Sequence, residues 1–193
     1  MDGYPPHLSP LTAGRGSAKT PFDVWWPKVK SEFPDVPEIL AQDWLHRHWG
    51  TSPFGWIPPR AYTFSFETLP TDELPNVLSR VYQFEASSHR AIDTGRHICG
   101  DHPGLPDRPW SRDATWLLAY MRANGTFPTP MTILDNRDNH LKTMPNISDR
   151  VREYPPGLLI AEGHTRHVIG LYLHSIGKMQ DTVPICRLTI KDA

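Results

Sequence analysis

Apolar positions in residues 62–109 indicate one strand, one helix and a loop. Residues 62–67 (YTFSFE) alternate apolar and polar side chains, which predicts a half-buried strand that the Leu69-Pro70 pair ends. Apolar residues at positions 74, 77, 78, 81 and 84 recur at helical spacing and predict an amphipathic helix that reaches about residue 88. The Gly- and Pro-rich residues 89–109 predict a loop.

The rest of the chain carries sharper signals. Ser111 as N-cap and Asn124-Gly125 as C-terminal stop bound a predicted helix, and residues 131–134 predict a short buried strand before a polar loop over 135–156. Residues 157–161 predict a strand and residues 164–176 a helix. Residues 183–190 predict a closing strand, in which Pro184 suits the strand start or a sheet edge. These elements predict an α/β (α+β) fold with a small mixed sheet.

The N-terminal third differs in composition. Residues 1–21 have too little apolar surface to offset the entropy of ordering, which predicts a disordered tail. Residues 22–60 form a Trp/Pro-rich extension with five of the seven tryptophans, and one short helix is expected there from Asp35 as cap, with Pro37 in its first turn, to Gly50. The aromatic side chains are either an exposed platform for a partner or a subdomain buried against residues 61–193. Burial is the favoured interpretation.

Composition narrows the function classes. The 193 residues carry a net charge of -1, which argues against a protein whose main task is to grip duplex DNA, although a local basic site remains open. Cys99 and Cys186 are too few for a secreted disulfide framework, and no apolar run resembles a signal peptide or a membrane span. We therefore expect a soluble cytoplasmic protein without membrane contact. The 21 prolines favour short elements joined by shaped loops.

The turn between the 157–161 strand and the next helix has the construction of an anion site. Gly163 permits a tight turn, and the first N–H groups of a helix lack intrahelical partners and point outward at the positive end of the dipole. His164, Thr165 and Arg166 add an imidazole, a hydroxyl and a guanidinium that can contact phosphate oxygens. An ordinary turn remains the alternative, in which Glu162 caps the helix and Arg166 pairs with a surface carboxylate.

A family resemblance supports the anion-site interpretation. The run GLLIAEGHTR (157–166), the apolar helix, Gly177 and Val183-Pro184-Ile185 resemble the core of the ParB/sulfiredoxin-like superfamily, in which a strand enters a Gly-x-x-Arg box and a helix and an "ipv" strand follow. Upstream, residues 111–134 are similar to that family's helix, "G-x-x-x-P" segment and strand. The resemblance covers about residues 61–190, and implies the ParB/sulfiredoxin-like fold for residues 61–193.

Within the superfamily, the Glu-Gly-His-Thr-Arg form resembles the box of the free-serine kinase branch. That resemblance implies that residues 163–166 bind the phosphates of ATP or another nucleotide, that Glu162 takes part in catalysis, and that a small hydroxyl compound is the acceptor. His164 stands where sulfiredoxin has its catalytic Cys, so sulfinic acid reduction is not expected. The helix-turn-helix domain that ParB needs after this core is not found before Ala193, so a partition function is not expected either.

Carboxylates are the next candidates. Beside a bound polyphosphate, Glu162 can hold Mg²⁺ or accept a proton from an attacking hydroxyl. A second catalytic carboxylate is sought at Asp72 or Glu73, where kinase members resemble this chain in carrying an acid, or at Asp135 and Asp138. Each of the four has an ordinary alternative as a solvated loop charge.

Histidine clusters and basic loops are weaker signals. His97, Cys99 and His102, like His46 and His48, are metal-ligand types without the spacing of a closed zinc site. The basic residues of the 135–156 loop are interleaved with acids; they are Arg137, Lys142, Arg150 and Arg152.

The leading hypothesis from the sequence is a nucleotide-binding protein that performs Mg²⁺-dependent phosphoryl transfer or nucleotide hydrolysis. The alternatives are a nuclease or nucleic-acid-processing effector, and a non-catalytic module whose Trp-rich segment binds a protein.

Overall fold

The computed structural model describes residues 6–11, 19–49, 61–80, 89–101, 112–141 and 154–191. Its strands are β1 (Tyr62–Pro70), β2 (Met131–Asp135), β3 (Leu158–Glu162) and β4 (Thr182–Ile190). Its helices are α1 (Phe22–Val29), α2 (Glu38–Leu40), α3 (His89–Ile98), α4 (Arg112–Asn124) and α5 (His164–Ser175). The segment Ala41–His46 continues α2 as a π-helix, and shorter 3-10 helices lie at Pro6–Leu8, Lys30–Glu32 and Thr71–Asn76.

The described strands form one mixed sheet in the order β1-β4-β2-β3. Strand β4 is antiparallel to β1 and parallel to β2, and β2 is antiparallel to β3. The predicted α/β fold with a small mixed sheet is confirmed. Pro184 lies in an interior strand, not at an edge; it pairs with Thr68 of β1, while the pairing of β4 with β2 begins one residue later, at Ile185. The missing N–H is tolerated because the residue belongs to the strand start.

Both faces of the sheet are covered. Neighbouring residues of β2 and of β3 point to opposite sides, so that Ile133 and Ile160 face α5 and α3 while Leu134 and Leu159 face the N-terminal extension. This double burial explains the continuous apolar runs in β2 and β3.

The tryptophans of the extension belong to its core. Trp25, Trp26 and Trp44 are at most 7% exposed and share one apolar cluster with residues of β2, β3 and β4. The burial of these three side chains agrees with the favoured interpretation of the segment; Trp56 lies outside the described residues. Part of the predicted tail also packs here, because Leu8 is buried and its carbonyl accepts a hydrogen bond from Trp25 Nε1 at 2.8 Å. Leu8 of the predicted tail thus packs on the extension, and the disorder expected for residues 1–21 stays a prediction.

Two predictions between β1 and α4 are wrong where the structure describes them. The expected helix over 74–88 is a 3-10 helix up to Asn76 followed by extended chain, in which Leu78 forms a parallel bridge to Leu159. The chain becomes extended after Asn76 because Leu78 pairs with β3: its N–H donates to the Leu158 carbonyl at 2.8 Å, and its carbonyl accepts from Ile160 N at 2.9 Å. The expected loop over 89–109 contains α3 instead. Gly95 faces α5 so closely that a methyl group there would overlap the Val168 carbonyl, so this glycine marks helix packing rather than a loop.

The remaining helix predictions hold with shifted bounds. The helix expected from Asp35 begins instead at Glu38 with Pro37 as N-cap, and α1 was not predicted because Pro27 interrupts its sequence. Helices α4 and α5 and strands β2, β3 and β4 are confirmed. Ser111 lies outside the described residues. Over the described ranges, no helix has the length and apolar character needed to cross a membrane.

Candidate functional site

The turn between β3 and α5 is built around Gly163. This residue is the N-cap of α5 and has φ +102°, in the left-handed region that favours glycine. A Cβ at this position would lie 2.8 Å from Met131 Cγ and 3.0 Å from Arg166 Nε. The Gly163 carbonyl accepts the first helical hydrogen bond, from His167 N at 2.9 Å, and the Glu162 carboxylate accepts from the Gly163 N–H. No side chain of the described residues caps the N–H groups of residues 164–166. The N–H groups of residues 164–166 are therefore the unsatisfied first donors of α5.

Arg166 lies beneath this turn with its side chain directed into the protein, only 8% exposed. Its Nη2 donates to Glu162 Oε2, its Nη1 donates to Thr129 Oγ1, and Nη1 also lies 3.9 Å from Asp43 Oδ2. Nε is buried without a partner among the described residues. The guanidinium is thus held between two carboxylates instead of projecting toward solvent.

Asp43 and His48 come from the N-terminal extension. The π-helical segment Ala41–His46 carries Asp43, and His48 follows it in a turn where the Arg47 N–H bonds to the Gln42 carbonyl at 3.2 Å, five residues back. A wide turn of this kind brings residues five positions apart to one side, and π segments are frequent at functional sites. His48 Nε2 lies 3.9 Å from Glu162 Oε1, and its side chain is 39% exposed.

Two further histidines line the inner side of the site. His164 Nδ1 is hydrogen-bonded to Ser79 Oγ at 2.9 Å, and His167 Nε2 donates to the Leu74 carbonyl at 3.0 Å. Burial lowers the pKa of His164 to about 3, with His167 and His48 adding to the shift, and it lowers the pKa of His167 to about 4. Both imidazoles are therefore neutral near pH 7.

The carboxyl of Glu162 has a raised pKa. Burial is the main cause and Asp43 adds to it, whereas Arg166, Arg47 and the Gly163 N–H act in the opposite direction. The pKa of His48 is lowered, first by burial and then by the charges of Arg47 and Lys19. A carboxyl with a raised pKa beside an imidazole with a lowered pKa is an arrangement suited to proton transfer.

The predicted box residues are thus brought to one place but face different ways. Thr165 is exposed at the start of α5, as an anion site requires, whereas His164 and Arg166 use their side chains within the protein. Arg166 does pair with carboxylates, as the ordinary-turn alternative predicts. These carboxylates, Glu162 and Asp43, are largely buried and do not lie on the open surface.

The other predicted carboxylates lie on other elements than Glu162. Asp72 and Glu73 are exposed in the 3-10 helix after β1. Asp135 pairs with Leu158 at the far end of β3 and contacts Arg137 and Arg187, while Asp138 contacts His140. At about 3.3 Å per residue, the three residues from Thr132, which pairs with Glu162, to Asp135 span about 10 Å.

Metal-ligand clusters are missing from the described part of the chain. Within the described ranges, no group of three or more His, Cys, Asp or Glu side chains is arranged to hold an ion. His97 lies on α3 and Cys99 is buried just after it, while His102 is outside the described residues. The Glu162 carboxylate is already held by Arg166 and the Gly163 N–H, so the described residues do not fit a resident Mg²⁺ ion.

Sequence reasoning missed four contributors to the site: Asp43, His48, Ser79 and Thr129. Only His48 carried a signal, as part of the pair with His46, and it was considered there as a metal ligand.

Comparisons of the chain with models of known families, with curated proteins and with solved structures return no match. The likeness to the ParB/sulfiredoxin-like superfamily therefore stays a prediction from the sequence.

Proposed function

We propose that the β3–α5 turn binds the phosphate groups of a nucleotide and that the protein transfers a phosphoryl group to water or to a small hydroxyl compound. The main support for this proposal is the structure at the start of α5. Its first N–H groups have no side-chain cap among the described residues, they follow the left-handed Gly163, and the exposed Thr165 stands beside them. Backbone donors and a positive helix end in this arrangement favour an anion.

The positive charge of Arg166, which lies beneath the turn, also favours phosphate binding. It lies within one helical turn of the free N–H groups, and its guanidinium is the positive charge of an ion cluster with Glu162 and Asp43. Two carboxylates near a phosphate would repel it. The Arg166 guanidinium, which contacts Glu162 and lies 3.9 Å from Asp43, offsets part of this repulsion.

Enzymes catalyse phosphoryl transfer mainly by positioning the reactants and stabilising the charge of the transition state, and the protein need not form a covalent bond. The helix N-terminus and Arg166 would neutralise the phosphoryl oxygens, and the outward carboxylate oxygen of Glu162 would face the attacking hydroxyl. Mg²⁺ is proposed only as part of the incoming nucleotide complex, because the described residues offer no resident site for it.

A thermal-unfolding screen tests binding. ATP, ADP, CTP and GTP are added with and without Mg²⁺. A nucleotide at 100 times its Kd should add about 2.7 kcal/mol of stability, which for a chain of this size raises Tm by roughly 5–11 °C. Single-stranded and duplex oligonucleotides are included, because a shift with these alone would favour the nuclease alternative and contradict the proposal.

Two substitutions at one exposed position locate the bound phosphate. Thr165→Asp places a carboxylate in the first turn of α5, where it stabilises the helix but repels a phosphate. Thr165→Asn has nearly the same shape without the charge. We expect both variants to unfold near the wild-type Tm, and only Thr165→Asp to lose the nucleotide-induced shift. An undiminished shift in Thr165→Asp would place the phosphate elsewhere.

A further inference from the structure

The two oxygens of the Glu162 carboxylate have different surroundings. Oε2 accepts a hydrogen bond from Arg166, while Oε1 faces His48 Nε2 at 3.9 Å. Glu162 is 14% exposed and His48 is 39% exposed. The gap between the imidazole and Oε1 therefore lies on the side of the cluster that solvent reaches.

This gap has the size for one hydroxyl oxygen. An oxygen that lies about 2.8 Å from both Nε2 and Oε1 is at hydrogen-bond distance from each, and two atoms 3.9 Å apart allow such a position. A water molecule or an alcohol there would be held beside Glu162, which directly precedes the N-cap of α5. It would thus adjoin the N–H groups proposed to hold the phosphate.

The two groups are unequal as proton acceptors. Glu162 accepts hydrogen bonds from Arg166 and from the Gly163 N–H, and both contacts stabilise its charged form against taking up a proton. The imidazole of His48 is a neutral acceptor that reaches solvent, supplied by a segment outside the box of residues 162–166. We propose that His48 is the general base of the reaction, and that Glu162 orients the hydroxyl and stabilises the imidazolium. This inference rests on the proposed function.

The hydroxyl oxygen attacks the terminal phosphorus of the nucleotide and forms a new O–P bond, while its proton moves to His48. The bond from that phosphorus to the bridging oxygen breaks, and the nucleoside diphosphate leaves with the electron pair. The imidazolium then returns its proton to solvent. With water as the acceptor the product is inorganic phosphate, so hydrolysis reports the step without a known alcohol.

The surroundings of His48 set the expected pH profile. The positive charges of Arg47, Lys19 and Arg166 act on it against the negative charge of Asp43, and burial adds to the lowering of its pKa. A base must be unprotonated, so kcat should be constant near neutral pH. It should fall about tenfold per pH unit below the pKa of His48, which lies under the ordinary 6.5.

The test compares nucleotide hydrolysis by the full chain and by His48→Ala, with His174→Asn as the control at the other end of α5. We expect His48→Ala to keep the nucleotide-induced Tm shift, to lose about 10²–10⁴-fold in kcat, and to lose the acid limb of its pH profile. Added imidazole should restore part of the rate in a saturable way, because the truncated side chain is open to solvent. A merely structural histidine would show no such rescue. His174→Asn should match the wild type.

The outcomes separate the two proposals. A wild-type protein that no nucleotide stabilises would remove the proposed function and this inference with it. A protein that binds nucleotide but hydrolyses none overturns the general base and leaves the binding site standing. The same follows if His48→Ala keeps its rate and its acid limb, or if its lost rate is not restored by imidazole.

Discussion

Replacing Gly163 with alanine tests the geometry of the turn most directly. The residue has φ +102°, a conformation that costs an L-residue about 1–2 kcal/mol. The added methyl would also lie 2.8 Å from Met131 Cγ and 3.0 Å from Arg166 Nε, closer than carbon atoms normally approach. Met131 is fully buried and Arg166 is tied to Glu162, so neither side chain can move away freely.

The expected loss of stability is therefore large. Crowding of a packed core by one methyl group costs about 1–3 kcal/mol, which together with the backbone term gives about 2–5 kcal/mol. Urea unfolding followed by circular dichroism measures it: with an m value of about 2–3 kcal/mol/M, the midpoint should fall by roughly 1–2 M.

Gly177→Ala is the matched control. Gly177 also has a positive φ, of +68°, but a Cβ there would meet no atom within 4 Å. This variant should lose only the backbone term, about 1–2 kcal/mol. Equal losses at the two glycines would refute the crowding by Met131 and Arg166, and with it the placement of the guanidinium under the turn.

Two further predictions concern the buried charges. Arg166→Met should lower the free energy of unfolding by about 3–5 kcal/mol, because it leaves Glu162 buried without its partner. The double variant with Glu162→Gln should recover much of this in urea unfolding, and no recovery would contradict the pairing. Because the pKa values of His164 and His167 are lowered to about 3 and about 4, the unfolded chain binds more protons below pH 6.5. Stability should thus be constant above that pH and fall by about 1.4 kcal/mol per pH unit for each histidine toward pH 4. Glu162, with its raised pKa, acts in the opposite direction above its ordinary value of 4.5. Thermal melts from pH 4 to 8 measure this, and a His164→Asn/His167→Gln variant should flatten the curve.

Local signals were sufficient where strand, turn and helix follow each other in the sequence. The apolar run of β3, the Glu162-Gly163 turn and the wide apolar arc of α5 correctly predict these elements, because doubly buried strands and buried helices differ in length and in their stops. Register and strand order could not be derived, since the parallel pairing of β2 with β4 joins residues about 54 positions apart, such as Met131 and Ile185.

Tertiary packing explains the failures between β1 and α4. Gly95 is an unfavourable helix residue by propensity, yet α3 includes it because α5 approaches its backbone there. Leu74 and Val77 are buried as the helical pattern requires, but the bridge of Leu78 to Leu159 makes the chain extended after Asn76. The pattern therefore identified the buried positions correctly, but it predicted the wrong backbone conformation between them.

The site itself shows a further limit of sequence reasoning. A box of five consecutive residues suggests that its side chains act together on one ligand, yet Arg166 and His164 turn inward to Thr129 and Ser79, which lie 37 and 85 positions away in the sequence. His48 reaches both solvent and Glu162, and it comes from a segment whose tryptophans favoured burial over an exposed platform. Because the aromatic cluster of the extension is buried on β2, β3 and β4, it fixes the π-helical segment over the end of β3. The extension therefore shapes the candidate site through its packing, because the segment that carries Asp43 also carries the buried Trp44.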